Sequence, residues 1–213
     1  MLLPKRQRTH VKLLNITQIL ILEKGCDSLT LKDICISAEM SVGTIYNYYR
    51  NVEDIYVDIE KMMLAAYLDS LNEVVGNIKD PIHKVAISIQ QTLSNALPES
   101  SFARILFYGK LPHDTLLNGI KKNFVKDMLD EFVIENPSPL LTWIAGGVYE
   151  GMQDISNQKL SPDTIKDFTK ILLLMLGVSK QKIKTAIEQP FNYHPLPEFP
   201  LSASRWLDNI KNT

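Results

Sequence analysis

The order of apolar and polar residues along this chain is typical of a protein built from helices. Apolar residues recur at intervals of three and four in most segments, and no segment alternates convincingly between apolar and polar residues. The first spacing predicts amphipathic helices, whereas alternation would predict strands. We therefore expect an all-α fold.

The first three predicted helices lie close together in the sequence. One covers residues 5 to about 24 and stops at Gly25. Two short helices follow: Thr30 and Asp33 have the spacing of a capping box at the start of one, and Ser41 caps the other. Because helices this short cannot bury themselves, they must pack on a third, which is the arrangement of a helix-turn-helix.

The remainder predicts a helical body and an extended end. Asn51 caps a long fourth helix that reaches about residue 76, and Pro81 begins a fifth. Residues 188–213 mix prolines with aromatic residues, which favours an extended strap, with a short helix over 202–211. Further helices are expected at residues 101–109, 114–132, 140–156 and 165–178. The predicted parts are a head (1–51), a body (52–187) and the strap (188–213).

Composition narrows the class of protein. The chain has 213 residues, is 45% hydrophobic and carries a formal net charge of −1. Residues 1–52 hold seven basic and four acidic side chains, so the head is +3 and the rest −4. A basic head suits a nucleic-acid partner, although ordinary solvated surface charge gives the same count.

No feature of the sequence predicts secretion, a membrane span or a bound metal. The apolar runs are far too short to cross a bilayer, and no signal peptide is recognisable. Cys26 and Cys35 lack metal-ligand spacing, so we expect reduced thiols in a cytoplasmic protein, without a metal or a cofactor.

The segment around the second short helix resembles a known family. The run Ser41-x-Gly-Thr-Ile-Tyr-x-Tyr-Tyr is similar to the helix-turn-helix of the TetR family of bacterial transcriptional regulators. The resemblance covers roughly residues 10 to 57 and implies a three-helix DNA-binding head on a helical body that binds a ligand and forms a dimer. Other matching positions are Thr30, Leu31, Ile34, Ala38, Glu53 and Ile55.

Three residues depart from the family pattern. Glu39 replaces a turn glycine, and a non-glycine residue with positive φ costs about 1 kcal/mol. Cys35 replaces an alanine, which exchanges one small residue for another. Val52 replaces a lysine expected to contact phosphate, and Arg50 stands two residues away, where it can compensate. Glu39 and Val52 favour an alternative function: a helical interaction protein of the same fold that has lost specific DNA binding.

The second short helix, residues 41–49, is the predicted recognition helix. Tyr46 and Asn47 lie on its outer face, where a phenol and an amide can reach phosphates or base edges. Tyr49 matches a buried aromatic position of the family. The resemblance implies backbone contacts by Thr30, Lys32, Ser41, Thr44, Tyr46 and Tyr48, and places Val42, Gly43 and Asn47 nearest the bases.

A dimer is expected, because one recognition helix reads too few base pairs for useful specificity. Gly147 and Gly151 permit close helix approach, and the helix over 165–178 is apolar nearly all round, which predicts burial on all sides. The family dimerises through the corresponding helices. The predicted interface is Trp143, Gly147, Gly151, Phe168, Ile171, Leu172 and Met175.

The resemblance also implies a small, hydrophobic effector bound in the body. Candidate pocket residues are Met62, Phe102, Phe107, Tyr108, Phe124, Met128, Trp143, Tyr149 and Met152. Apolar residues at helical spacing are also what an ordinary core requires, so both interpretations remain open. No phosphate loop, catalytic triad or metal spacing favours an enzyme. The expected function is a homodimeric regulator, a repressor rather than an activator, that releases a palindromic DNA operator when the effector binds.

Overall fold

The computed structural model describes residues 4–96, 105, 137–204 and 206–207. The secondary structure of these residues is helical without strands, which agrees with the predicted all-α fold. The predicted helices at 101–109 and 114–132 lie outside the described residues. The helices are α1 (Lys5–Lys24), α2 (Leu31–Ala38), α3 (Val42–Tyr46), α4 (Val52–Val75), α5 (Pro81–Ser94), α6 (Pro137–Ser156), α7 (Ile165–Met175) and α8 (Lys180–Glu188).

The ends of the first helices are set by the predicted local signals. Gly25 takes a φ of 77° and stops α1. At the start of α2, Thr30 N donates to Asp33 Oδ2 at 3.0 Å, and Asp33 N donates to Thr30 Oγ1 at 3.2 Å. The side-chain oxygens of Ser41 and Asn51 cap α3 and α4 by accepting from Thr44 N and from Asp54 N. Each cap satisfies a backbone N–H that has no partner within its helix.

The head is one small core around α1. Ile34 and Ala38 of α2 and Ile45 of α3 are buried, and α1 contacts both α2 and α4. The turn between α2 and α3 passes through Glu39, whose φ of 54° lies in the left-handed region. A positive φ at this position was the condition for the expected strain, and Glu39 has a positive φ.

α5 is the centre of the body, because it contacts α4, α6, α7 and α8. Tyr67 of α4 is buried against α5, and its hydroxyl lies 2.6 Å from Thr92 Oγ1. Burial raises the pKa of Tyr67 to about 12, with the hydrogen bond to Thr92 opposing the rise, so the phenol stays protonated at neutral pH.

Three boundaries in the body differ from the prediction. α6 begins at Pro137 rather than at residue 140, and the first turn of a helix is a position that proline favours. α7 ends at Met175 rather than at residue 178. The helix α8 was not predicted: Ser179 caps it, and Ile183 and Ala186 face the core.

The strap is extended from residue 189 to 202, and two buried glutamines hold it. Gln91 of α5 donates to the carbonyl of His194 at 2.6 Å and accepts from His194 N at 3.0 Å. Gln18 of α1 donates to the carbonyl of Leu201 at 3.1 Å and accepts from Leu201 N at 2.7 Å. The strap therefore lies on the body and also reaches back to the head.

Candidate nucleic-acid interface

The predicted DNA contacts surround the short helix α3. Ile45 is buried, whereas Val42 and Tyr46 are 49% and 57% exposed, so α3 has one inner and one outer side. Thr44 and Tyr48 are half-buried. The other predicted contacts are exposed: Thr30, Lys32, Ser41, Gly43, Asn47 and Arg50.

The positive charges beside α3 are not equally available to DNA. Lys24 Nζ lies 2.6 Å from Asp33 Oδ1, and this bond, followed by those from Thr30, holds the pKa of Asp33 below its ordinary value. Lys24 is therefore occupied. Lys32 and Arg50 are exposed and form no ion pair with another described residue, so they remain available for phosphates.

The last two tyrosines of the motif face α1 and α4. The Tyr48 hydroxyl donates to the carbonyl of Arg6 at 3.1 Å, so its proton is used within the chain rather than presented to a phosphate. Tyr49 is buried, as its match to the family indicates, and its hydroxyl donates to Asp58 Oδ2 at 3.1 Å. Burial, followed by the charge of Asp58, raises the pKa of Tyr49 well above its ordinary value.

Sequence reasoning missed a cluster that fixes the recognition helix to the rest of the head. His10 Nε2 of α1 is within hydrogen-bond distance of the Tyr49 hydroxyl and lies 3.5 Å from Asp58 Oδ2 of α4. The groove beside this cluster has a volume of about 330 Å³, and Leu207 from the C-terminal segment helps to line it. Apart from the short interval between Tyr49 and Asp58, no local pattern links these residues.

Four of the nine predicted ligand-pocket residues lie in the part of the chain that the structure describes. Met62 lines a cleft of about 310 Å³ between α4 and the strap. Trp143 is 74% exposed in the single chain, and its place in a ligand pocket stays a prediction. Met152 is buried and Tyr149 half-buried on α6. The remaining candidates lie outside the described residues: Phe102, Phe107, Tyr108, Phe124 and Met128.

The predicted dimer residues differ in how far they are exposed in the single chain. Trp143, Ile171 and Met175 are exposed at 74%, 54% and 43%, and are free to meet a second copy. Leu172 is only 4% exposed and is buried within its own chain, and its part in an interface stays a prediction. Gly151 and Phe168 also pack inside the chain, because a Cβ added to Gly151 would lie 3.1 Å from the ring of Phe168. Gly147 is half-buried.

Among the described residues, no helix has the length and apolar character needed to cross a bilayer. No group of three or more histidine, cysteine, aspartate or glutamate side chains in the same part of the chain could hold a metal ion.

α2 and α3, joined by a tight turn at Glu39, form a helix-turn-helix with one side of α3 directed outward. Residues 13–59 match the family described as "Bacterial regulatory proteins, tetR family", so the predicted resemblance to the TetR family is confirmed and the head is a TetR-type N-terminal domain. No curated protein matches the chain.

Solved structures of regulators share the fold over most of the chain. RolR in complex with resorcinol is 21% identical, with a TM-score of 0.68 over 88% of this chain and 97% of RolR. A TetR-family regulator from Streptomyces coelicolor is 15% identical, with a TM-score of 0.55 over 79% of this chain and 98% of that one. A putative TetR-family regulator from Syntrophomonas wolfei is 17% identical, with a TM-score of 0.50 over 87% and 98%. The chain therefore has the fold of a TetR-type regulator.

Proposed function

We propose that this protein is a homodimeric repressor that binds a palindromic operator in double-stranded DNA and is released by a small effector. The observation that carries the proposal is the outer side of α3, where Val42, Tyr46 and Asn47 are exposed while Ile45 anchors the helix in the core. A helix held in this way can enter a major groove without unfolding the head.

The contacts fall into two kinds. Val42, Gly43 and Asn47 face the bases: an amide can pair with an adenine edge, and a valine can meet a thymine methyl group. Thr30, Lys32, Ser41, Thr44, Tyr46 and Arg50 contact the phosphates and set the register of the helix. We expect Tyr48 to contribute less to DNA binding, because its hydroxyl donates to the backbone carbonyl of Arg6.

The dimer brings two copies of α3 to successive half-sites, about 34 Å apart along the DNA. The proposed interface is the outer side of α6 and α7, where Trp143, Ile171, Leu174 and Met175 are all at least 40% exposed. Large apolar side chains so close together are unfavourable on a monomer in water, and a second copy would cover them.

The effector acts through α4, the helix that continues from the head into the body. RolR, which has the same fold, has been solved with resorcinol bound. We infer that this chain also takes a small molecule. Its binding would shift α4 and so change the separation of the two α3 helices, which weakens binding to an operator of fixed spacing.

Selecting bound fragments from a random DNA pool, followed by mobility shifts at two salt concentrations, tests the proposal. Affinity should fall steeply with salt, because phosphate contacts release counterions. Lys32→Glu and Tyr46→Ala should each abolish binding, whereas Lys180→Glu, an exposed lysine of α8, should leave it unchanged.

Two results would count against the proposal in different ways. Full affinity in both α3-region variants would remove the contact assignment but leave DNA binding in place. A pool that yields no bound fragment would favour the second candidate function, a helical interaction protein, for which Glu39 and Val52 are the motivating departures from the family pattern.

A further inference from the structure

A cleft of about 310 Å³ lies between α4 and the strap, away from the outer side of α3. We call it the strap cleft. One wall is formed by residues of α4 between Met62 and Glu73, and the other by residues of the C-terminal segment between His194 and Ser202 together with Trp206. The sequence pattern gave no indication of this site beyond Met62, because the two walls are more than a hundred residues apart in the chain.

The charged residues of the strap cleft are mainly acidic. Asp69 and Glu73, one helical turn apart on α4, both line it, and no lysine or arginine is among its described lining residues. His194 Nε2 lies 3.3 Å from Glu73 Oε2. Asp69 forms no ion pair with a described residue. Two carboxylates facing one partly apolar cleft favour a positive charge between them.

Ser70 adds an unsatisfied polar group to the same wall. Its side chain is only 7% exposed, and Oγ has no hydrogen-bond partner among the described residues. A buried hydroxyl without a partner is unfavourable in a folded protein, so such a group calls for an explanation. An N–H group of a ligand in the cleft would supply the missing partner.

Apart from Ser202, the remaining lining residues of the strap cleft are apolar. Met62, Ala66 and Leu201 contribute aliphatic surface, and Trp206 contributes the ring type that attracts cations most strongly. A mostly apolar wall with a few converging polar groups is what a site for a small organic molecule requires.

We propose that the strap cleft binds a small organic cation, in which an ammonium group is attached to an apolar or aromatic body. The ammonium group lies against Asp69 and Glu73 and donates a hydrogen bond to Ser70 Oγ. The apolar body packs against Met62 and Trp206.

The strap cleft is placed to act on the head. His194 and Leu201 both line it, and they are also the two residues whose backbone groups are held by Gln91 of α5 and Gln18 of α1. A ligand that moves the strap therefore acts on the body and the head together. This regulatory step rests on the proposed function, whereas the binding step does not.

Binding is tested with three probes of matched size: phenethylamine, phenethyl alcohol and phenylacetate. Calorimetry on the wild type measures the affinity for each probe. The amine should bind about tenfold more tightly than the alcohol, the factor expected from one charge-assisted contact. The carboxylate should bind most weakly.

Variants locate the site. Asp69→Asn combined with Glu73→Gln should reduce the affinity for the amine to that for the alcohol, and Ser70→Ala should weaken amine binding without harming the fold. Glu23→Gln combined with Glu188→Gln removes two exposed acids elsewhere and should change nothing. Equal binding of all three probes, no binding at millimolar concentration, or an amine preference that survives in the Asp69 and Glu73 variant would overturn the proposal.

The regulatory step is measured on a DNA fragment selected as above. Phenethylamine should change the affinity for DNA in the wild type but not in the Asp69 and Glu73 variant. If no fragment is bound at all, the proposed function and the regulatory step fail together, while the probe titration still decides whether the cleft binds cations.

Discussion

Glu39 holds the turn of the helix-turn-helix in a left-handed conformation, with a φ of 54°. A side chain with a Cβ is strained there, so Glu39→Gly should raise the free energy of unfolding by about 0.5 kcal/mol, after the entropy that glycine adds to the unfolded chain. Glu39→Val, which is β-branched, should lower it by about 1 kcal/mol. Urea unfolding of both variants checks the prediction.

Ser37 gives the matched control, since it is exposed in the last turn of α2 with ordinary helical geometry. Ser37→Gly should lower the free energy of unfolding, because glycine is unfavourable within a helix. A loss of stability in Glu39→Gly as large as in Ser37→Gly would show that the turn is not strained at Glu39.

Asp58 makes the stability of the head vary with pH in the acid range. Burial alone would raise the pKa of Asp58, but hydrogen bonds from His10, Lys61 and Tyr49 outweigh it and lower the pKa below the ordinary value of 3.8. A carboxyl whose pKa is lowered by folding stabilises the protein above its unfolded pKa. That contribution is lost as the pH falls through the folded pKa.

Asp58→Asn should therefore be less stable than the wild type near neutral pH, and the difference should shrink as the pH falls below about 4. Urea unfolding across this range measures it. Glu188→Gln, at an exposed position on α8, should show no comparable change. A difference between wild type and Asp58→Asn that is constant with pH would remove the carboxylate from the explanation.

At the scale of elements, the two glutamine contacts decide where the strap lies. Gln91→Leu leaves the N–H and C=O groups of His194 without their partner, and we expect a loss of about 1–3 kcal/mol per unsatisfied buried group. Faster proteolytic cleavage within the strap should accompany the loss. Urea unfolding and limited proteolysis measure the two effects.

Gln90 is the matched control, one residue away. It is 2% exposed and its Nε2 has no hydrogen-bond partner among the described residues, so Gln90→Leu should be neutral or slightly stabilising. Equal losses in the two variants would mean that the volume of the side chain, and not its bonds to the strap, explains the result.

The same elements show how much the sequence could predict. Thr30, Ser41 and Asn51 lie within three residues of the N–H groups that they cap, so α2, α3 and α4 could be placed from local spacing. The contact between Gln18 and Leu201 joins positions 183 residues apart, and nothing local marks either one. The outer side of α3 could also be predicted from local spacing. The strap cleft could not, because its two walls come from distant parts of the chain.

For the whole molecule, the proposed dimer explains why α7 is apolar on more than its inner side. Ile171 and Leu174 are 54% and 40% exposed in a single chain, although Leu173 between them is fully buried. Ile171→Asp combined with Leu174→Asp should convert a dimer to a monomer, because it places two charges where a second copy would be. Lys180→Glu, at an exposed position on α8, should leave the dimer intact. Sedimentation velocity measures the mass.

The proposed DNA binding needs both this interface and the head. Variants in the interface and variants in the head should therefore differ in whether they remain dimers. The Ile171 and Leu174 variant keeps α3 unchanged, yet it should lose most of its affinity for a two-half-site fragment, since each half-site alone is bound weakly. Lys32→Glu should lose DNA binding while it remains a dimer. A monomeric variant that binds the full site as tightly as the wild type would contradict the need for a second copy. A wild type that sediments as a single chain at all concentrations would leave the exposed apolar side of α7 to some other partner.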